Sequence, residues 1–222
     1  MNVEVFALLD DASPQGAACA TSNSRLYTGH LATLHCSDIA QWPLLLAQMQ
    51  SALTQGAYAV TVCHYELGEQ LLQLDGVPAT APAGSPQLAQ VLLFSRCELL
   101  SPEQVQAWLA ARSASTGSGG VEASAETSTA MQPAGIANIR PNIDQPTFSA
   151  ALARIHAYIE AGDTYQVNYT YRLRFDAYGS IYALYARLRA RQPLPYGALL
   201  QLDDGSAILS LSPELFVRHQ QG

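Results

Sequence analysis

Two stretches of this sequence hold residues whose types and spacing could do chemistry. Glu214 sits in ILSLSPELFV, a carboxylate inside an otherwise apolar run, directly after a proline that holds Ser212 extended. Read as a strand over residues 214–219, this places the carboxyl group in surroundings that disfavour its ionised form. A carboxyl group kept protonated can serve as a general acid. A glutamate facing water from an edge strand gives the same pattern. The second stretch, residues 164–175, alternates completely: Tyr165, Val167, Tyr169, Tyr171, Leu173 and Phe175 against Gln166, Asn168, Thr170, Arg172 and Arg174. On a strand, Gln166, Asn168 and Thr170 would line one face at intervals of about 7 Å and offer a polar ligand amides and a hydroxyl. A solvated sheet face reads the same way.

Other chemistries are excluded by composition. All 11 basic residues are arginine, so a Schiff base, a phosphate-loop lysine and any lysine nucleophile are impossible within these residues. Cys19, Cys36, Cys63 and Cys97 lie far apart with no CxxC pair and read as buried reduced thiols. The five histidines show no HxxxH or HExxH spacing, and zinc is not expected. Residues 1–112 carry 3 Arg against 9 acids and residues 136–222 carry 8 Arg against 7, so clustered positive charge for a nucleic acid is missing. No apolar run reaches the roughly 18 residues of a membrane span, and MNVEVFALLDD has acids where a signal peptide would have basic residues. A cytoplasmic protein without a membrane partner is the expectation.

The elements that must position these residues follow from periodicity. The chain has 222 residues, 49% of them apolar, enough for one or two packed domains at about 150 residues each. Strands are predicted at 3–9, 26–35, 57–65 and 90–95, and a hairpin at 197–202 and 207–211 across Asp203-Asp204-Gly205. Ile39, Trp42, Leu45, Leu46, Met49 and Leu53 step as a helix capped by Ser37 or Asp38. Ser101-Pro102-Glu103-Gln104 is a capping box opening a second helix through Val105, Trp108 and Leu109. Residues 144–162 form a third helix, stopped by Gly162, and Ile181, Leu184, Tyr185 and Leu188 mark a fourth. Residues 113–135 are Ser/Gly/Ala/Thr-rich and read as a flexible linker, with a functional lid as the alternative. The expected organisation is an N-terminal α+β region at 1–112, the linker at 113–135 and a further region at 136–222. The fold class is α+β, with antiparallel sheets and flanking helices.

At YIEAGDTYQVNYT (158–170), PYGA (195–198) and LSPELF (211–216) the sequence resembles consecutive blocks of the chorismate-utilising enzymes, nearest to the aminodeoxychorismate synthase component I branch. Leu8-Leu9-Asp10-Asp11, Ser24-Arg25-Leu26 and Tyr65-Glu66 are similar to the family's LLxS, SRF and YE segments. The resemblance implies an anthranilate synthase component I-like fold and amination of chorismate to 4-amino-4-deoxychorismate for para-aminobenzoate and folate. It implies Mg2+ on the substrate's carboxylates, and ammonia from a glutamine amidotransferase subunit. In that branch a lysine attacks the ring and a glutamate protonates the departing hydroxyl. Glu214 takes the glutamate's place, and residues 136–222 become the first part of a chorismate-binding domain. The resemblance places the lysine block and the Mg2+ ligands beyond Gly222, so it implies a truncated chain, inactive alone. It also implies a tryptophan effector pocket at Asp11, Ser24, Pro195 and Tyr196. Asp11 stands where the family has Ser, and Leu215 departs from its SPERF form. Anthranilate synthase component I, or a non-catalytic tryptophan-binding module of the same fold, is the alternative.

Overall fold

The computed structural model of the chain describes residues 4–13, 24–72, 87–115 and 133–219. In chain order its elements are β1 (Phe6–Asp10), β2 (Ser24–Cys36), α1 (Trp42–Thr54), β3 (Tyr58–Cys63), α2 (Tyr65–Leu71), β4 (Ala89–Leu100), α3 (Pro102–Ser115), β5 (Gly135–Pro141), α4 (Gln145–Ala161), β6 (Leu173–Tyr178), α5 (Ile181–Arg191), β7 (Tyr196–Gln201) and β8 (Ala207–Ser212). They fall into two units, Met1–Ala111 with Tyr185–Gly222, and Arg112–Leu184. Residues 136–222, expected together, are therefore divided. β7 pairs along the whole of β1, from Phe6 opposite Gln201 to Asp10 opposite Gly197, and this ladder ties the last segment to the first.

The first unit is a six-stranded sheet in the order β3-β4-β2-β1-β7-β8, antiparallel at every pairing. The antiparallel α+β class is borne out. β1 reads FALLD because both of its faces are covered: Ala7 joins Val5, Tyr27, Leu92, Phe94 and Leu200 on one side, and Phe6 meets Trp108 of α3 edge-on at 5.1 Å on the other. Full burial of a side chain such as Phe6 or Leu8 contributes about 1.5–3 kcal/mol. β2 bends at Gly29, whose φ of 68° lies in the left-handed region, and the register with β4 shifts between His30 and Ala32. α1 lays Leu45, Met49, Ala52 and Trp42 on a second core with Cys36, Val91 and Leu93. Leu46 and Leu53, placed on that face by sequence spacing, are exposed instead, because Ala52 takes the inward position.

Local signals set the element ends. Asp38 caps the short 3-10 turn that leads into α1, accepting the Ala40 N–H at 2.8 Å. Ser101 and Gln104 form the reciprocal capping box: the Ser101 N–H donates to Gln104 Oε1 at 2.7 Å, and the Gln104 N–H to Ser101 Oγ at 3.3 Å. The β7–β8 turn closes on Asp204, whose Oδ1 accepts from the Ser206 N–H and hydroxyl, with Gly205 at φ 85°. Strand β5 and helix α2 were not anticipated.

The second unit holds α4 and a two-stranded ribbon of β5 and β6. Asp144 accepts the Thr147 N–H at 2.9 Å, which holds its carboxyl below the usual range, and Gly162 at φ 78° ends the helix. The linker expected at 113–135 lies mostly outside the described residues, but its ends are structured: α3 runs through Ser115 and β5 begins at Gly135. Strand pairing covers Leu173–Tyr178 alone, and residues 164–172 form no strand. β5 pairs only with Leu173–Tyr178; next to it Asn142 donates its N–H to the Arg172 carbonyl at 2.9 Å and accepts the Arg172 N–H on Oδ1 at 2.9 Å, and residues 164–171 join no ladder among the described residues. Cys63 is exposed at the end of edge strand β3 and Cys97 is half-buried; Cys36 is buried as expected, and Cys19 lies outside the described residues. No helix among the described residues is long and apolar enough to cross a membrane.

Candidate functional site

Antiparallel pairing brings the end of β1, the start of β2, the start of β7 and the end of β8 to one end of the sheet. Asp11 and Ser24 touch there, the Asp11 N–H donating to Ser24 Oγ at 3.0 Å. The Ala12 N–H donates to the Leu194 carbonyl at 2.9 Å, so the Asp11 segment runs beside Pro195 and Tyr196. Tyr196 pairs with Ser212, two residues before Glu214. Asp11, Ser24, Pro195, Tyr196 and Glu214 thus come from distant sequence positions to neighbouring strand ends. Ser24 is buried, Asp11, Pro195 and Tyr196 are half-buried, and Glu214 is exposed.

The centre of this end is a residue that sequence reasoning missed. Asp10 is buried with its side chain 1% exposed, and its carboxylate takes three donors. Arg189 Nε donates to Oδ2 at 2.7 Å, Tyr185 donates its hydroxyl to Oδ2 at 3.1 Å, and Ser24 Oγ donates to Oδ1 at 3.0 Å. Tyr185 and Arg189 reach it together because they lie one turn apart on α5. Burial first, and then the Asp10 carboxylate that its hydroxyl faces, push the Tyr185 phenol above its ordinary range. Arg189 Nη2 is buried with no hydrogen-bond partner among the described residues, a donor left over after Nε has met Asp10. Gly197 completes the arrangement. A Cβ there would stand 2.5 Å from the Tyr185 hydroxyl and 3.3 Å from the Asp10 carbonyl oxygen, so no side chain fits. The sequence carries only the i, i+4 spacing of Tyr185 and Arg189 and, far from it, the Asp10-Asp11 doublet; by periodicity Tyr185 reads as part of an apolar helix face.

Two expectations about site environment are corrected. Glu214 does not lie in an apolar strand. β8 stops at Ser212 because β7 has no residue beyond Tyr196 to pair with, and Pro213 offers no N–H to continue a ladder. Instead Ser212 Oγ donates to the Glu214 carbonyl at 2.9 Å and accepts the Glu214 N–H at 3.3 Å, a tight turn that presents the carboxylate to solvent. Gln166, Asn168 and Thr170 likewise lie in an exposed extended segment of the second unit and not on a sheet face. Gln166 Nε2 donates to Asn168 Oδ1 at 3.3 Å, so these two side chains share one side. Among the described residues no group of three or more His, Cys, Asp or Glu is placed to hold a metal ion.

The profile of the chorismate binding enzyme family matches residues 6–222. Aminodeoxychorismate synthase component 1 of Klebsiella aerogenes is 35% identical over 83 residues, which are 37% of this chain and 18% of that protein. The protein of the same name in Bacillus subtilis (strain 168) is 35% identical over 96 residues, 43% of this chain and 20% of its own length. Anthranilate synthase component 1 of Streptomyces coelicolor is also 35% identical, over 77 residues, 35% of this chain and 15% of that protein. The chain spans about half the length of these relatives. The family match takes in the strands that form the sheet end and the turn that carries Glu214, and on that extent the chain belongs to the chorismate binding enzyme family.

Proposed function

We propose that this chain contributes part of the chorismate site of an aminodeoxychorismate synthase component I, which converts chorismate to 4-amino-4-deoxychorismate for para-aminobenzoate and folate synthesis in the cytoplasm. The observation that carries the reading is the Ser212-Pro213-Glu214 turn at the sheet end, within a family match running from residue 6 to residue 222. In the proposed reaction Glu214 gives its proton to the departing ring hydroxyl, which leaves as water as the C–O bond breaks. A lysine nitrogen forms the new bond to the ring, and ammonia from a glutamine amidotransferase partner then displaces it. The turn leaves the Glu214 carboxyl exposed, so the proposed proton transfer requires that the bound substrate desolvate it and favour its protonated form. The lysine is not among these 222 residues. The fold we infer is that of anthranilate synthase component I.

At the sheet end we place the amino-acid pocket, with tryptophan as its ligand. The leftover donor at Arg189 Nη2 and the Asp11 carboxylate offer one group to each end of an amino acid. The second reading, anthranilate synthase component I, is favoured by the S. coelicolor relative, as similar as the others. Product identity separates the readings. The chain is co-expressed with a polypeptide carrying the family's lysine block, supplied with chorismate, Mg2+ and ammonium, and the products are resolved by chromatography. 4-Amino-4-deoxychorismate is expected. Anthranilate would establish the second reading, and unconsumed chorismate would overturn both.

A further inference from the structure

The edge of the six-stranded sheet at β3 is open to pairing. β3 runs beside β4 from Tyr58 opposite Phe94 to Cys63 opposite Ala89 without a register shift, and among the described residues its other side has no ladder partner. Edge strands of monomers are commonly blunted by charged side chains, proline or a bulge. YAVTVC has none of these. The absence of charge extends well past the strand: between Asp38 and His64 no Asp, Glu, Arg or His occurs, a run that takes in all of α1 and β3. α1 adds apolar surface to this edge. The Thr61 hydroxyl meets Met49 Sδ at 3.7 Å, so the Met49 flank of α1 lies over β3. At about 100° per residue, Leu53 and Leu46 follow about 40° and 60° further round the helix, on the side away from buried Leu45. They are 38% and 37% exposed.

These features fit one partner, a second copy of this chain. The chain carries a net charge of -7, so two copies repel wherever their carboxylates face each other, and the neutral run is where they can approach. A charged partner would find no counter-charge there, and the cores of interfaces are depleted of charge. The strand is also complementary to itself. With a two-fold axis through Thr61, perpendicular to the sheet, Thr61 pairs with Thr61 of the second copy, Val60 with Val62 and Ala59 with Cys63. Each pair joins residues of one face: Val60 and Val62 belong to the core that holds Leu92 and Phe94, whereas Ala59 packs in the Cys36 core and Thr61 lies under α1. Opposed threonines and β-branched pairs are favourable in an antiparallel ladder. The same axis keeps both α1 helices on one side of the joined sheet, where Leu46 and Leu53 of one copy face those of the other. We propose that β3 and the Leu46–Leu53 flank of α1 form an isologous dimer interface in which two sheets join edge to edge. The interface does not depend on the function proposed above.

Sedimentation equilibrium tests it: the chain is a dimer at about 100 μM and dissociates on dilution. Thr61→Lys, at an exposed position, sets two lysines against each other on the axis and moves dimerisation to a concentration at least about tenfold higher. Leu46→Glu with Leu53→Glu does the same. Leu44→Glu, at a position 60% exposed but about 140° round α1 from Met49, leaves the dimer intact. All of these variants keep the circular dichroism of the parent. A crosslink checks the register by a separate route: Thr61→Cys in a Cys63→Ser background forms a covalent dimer on mild oxidation, and Cys63→Ser alone does not. The interface is overturned by a chain that stays monomeric at about 100 μM, or by a dimer indifferent to Thr61→Lys. A dimer as sensitive to Leu44→Glu as to the Leu46 and Leu53 pair, or a crosslink equally strong without Thr61→Cys, overturns it as well.

Discussion

Replacing Arg189 with methionine tests whether the Asp10 cluster holds the sheet end together. The substitution keeps most of the aliphatic length and removes the charge. Asp10, with its side chain 1% exposed, would retain hydroxyl donors from Tyr185 and Ser24 and lose the guanidinium 2.7 Å away, its only cation among the described residues. An uncompensated buried charge costs about 3–5 kcal/mol, far above the 0–1 kcal/mol or so of an exposed pair. At about 2–4 °C per kcal/mol for a protein of this size, the melting temperature should fall by about 6–20 °C. Asp10→Asn should cost a similar amount by stranding Arg189. The double variant should cost clearly less than the two singles together, because the second substitution removes the charge that the first left unpaired. Thermal melts and urea titrations followed by circular dichroism supply all three values. A loss below about 1 kcal/mol for Arg189→Met, or strict additivity in the double variant, would refute the buried ion pair.

Gly197→Ala drives a methyl group against the Tyr185 hydroxyl and should destabilise by about 1–3 kcal/mol in urea titration, with Gly68→Ala, which also lacks a positive φ and where the added carbon meets nothing within 4 Å, as the control that should show no such loss. Burial raises the phenols of both Tyr185 and Tyr27 above their ordinary values, so the folded state favours their protonated forms. Their contribution to stability is therefore complete below about pH 10, the unfolded value, and is lost as pH rises beyond it. Urea titrations from pH 8 to 11 should show stability falling at the alkaline end, with a shallower fall in Tyr185→Phe; equal slopes would contradict the assignment.

The readable parts of the sequence were those governed by local chemistry. Ser101 to Gln104, Asp144 to Thr147, Gly162 and the Asp203-Asp204-Gly205 turn each carry their own hydrogen-bonding instructions, and the structure follows them. The alternation at 164–175 was legible as a strand pattern, but a strand needs a ladder, and only Leu173–Tyr178 finds one in β5. The apolar neighbours of Glu214 fit both a protonated carboxyl in a strand and a glutamate facing water, and the strand itself does not form; where β8 ends depends on where β7 begins, which is tertiary information. Asp10 looked like half of an acidic doublet. Its burial depends on an arginine 179 residues away, a pairing that no local window contains.

The central claim is that Glu214 delivers a proton during chorismate amination, and Glu214→Gln measures it most directly. Glutamine preserves size and hydrogen bonding but has no acidic proton to give. In the complex reconstituted with the lysine-bearing segment, steady-state kinetics with chorismate and ammonia should show kcat falling by about 10² to 10⁴-fold while KM changes little. Because the side chain is exposed, the melting curve should be unchanged. A kcat within about threefold of the parent would contradict the account and remove Glu214 from the mechanism.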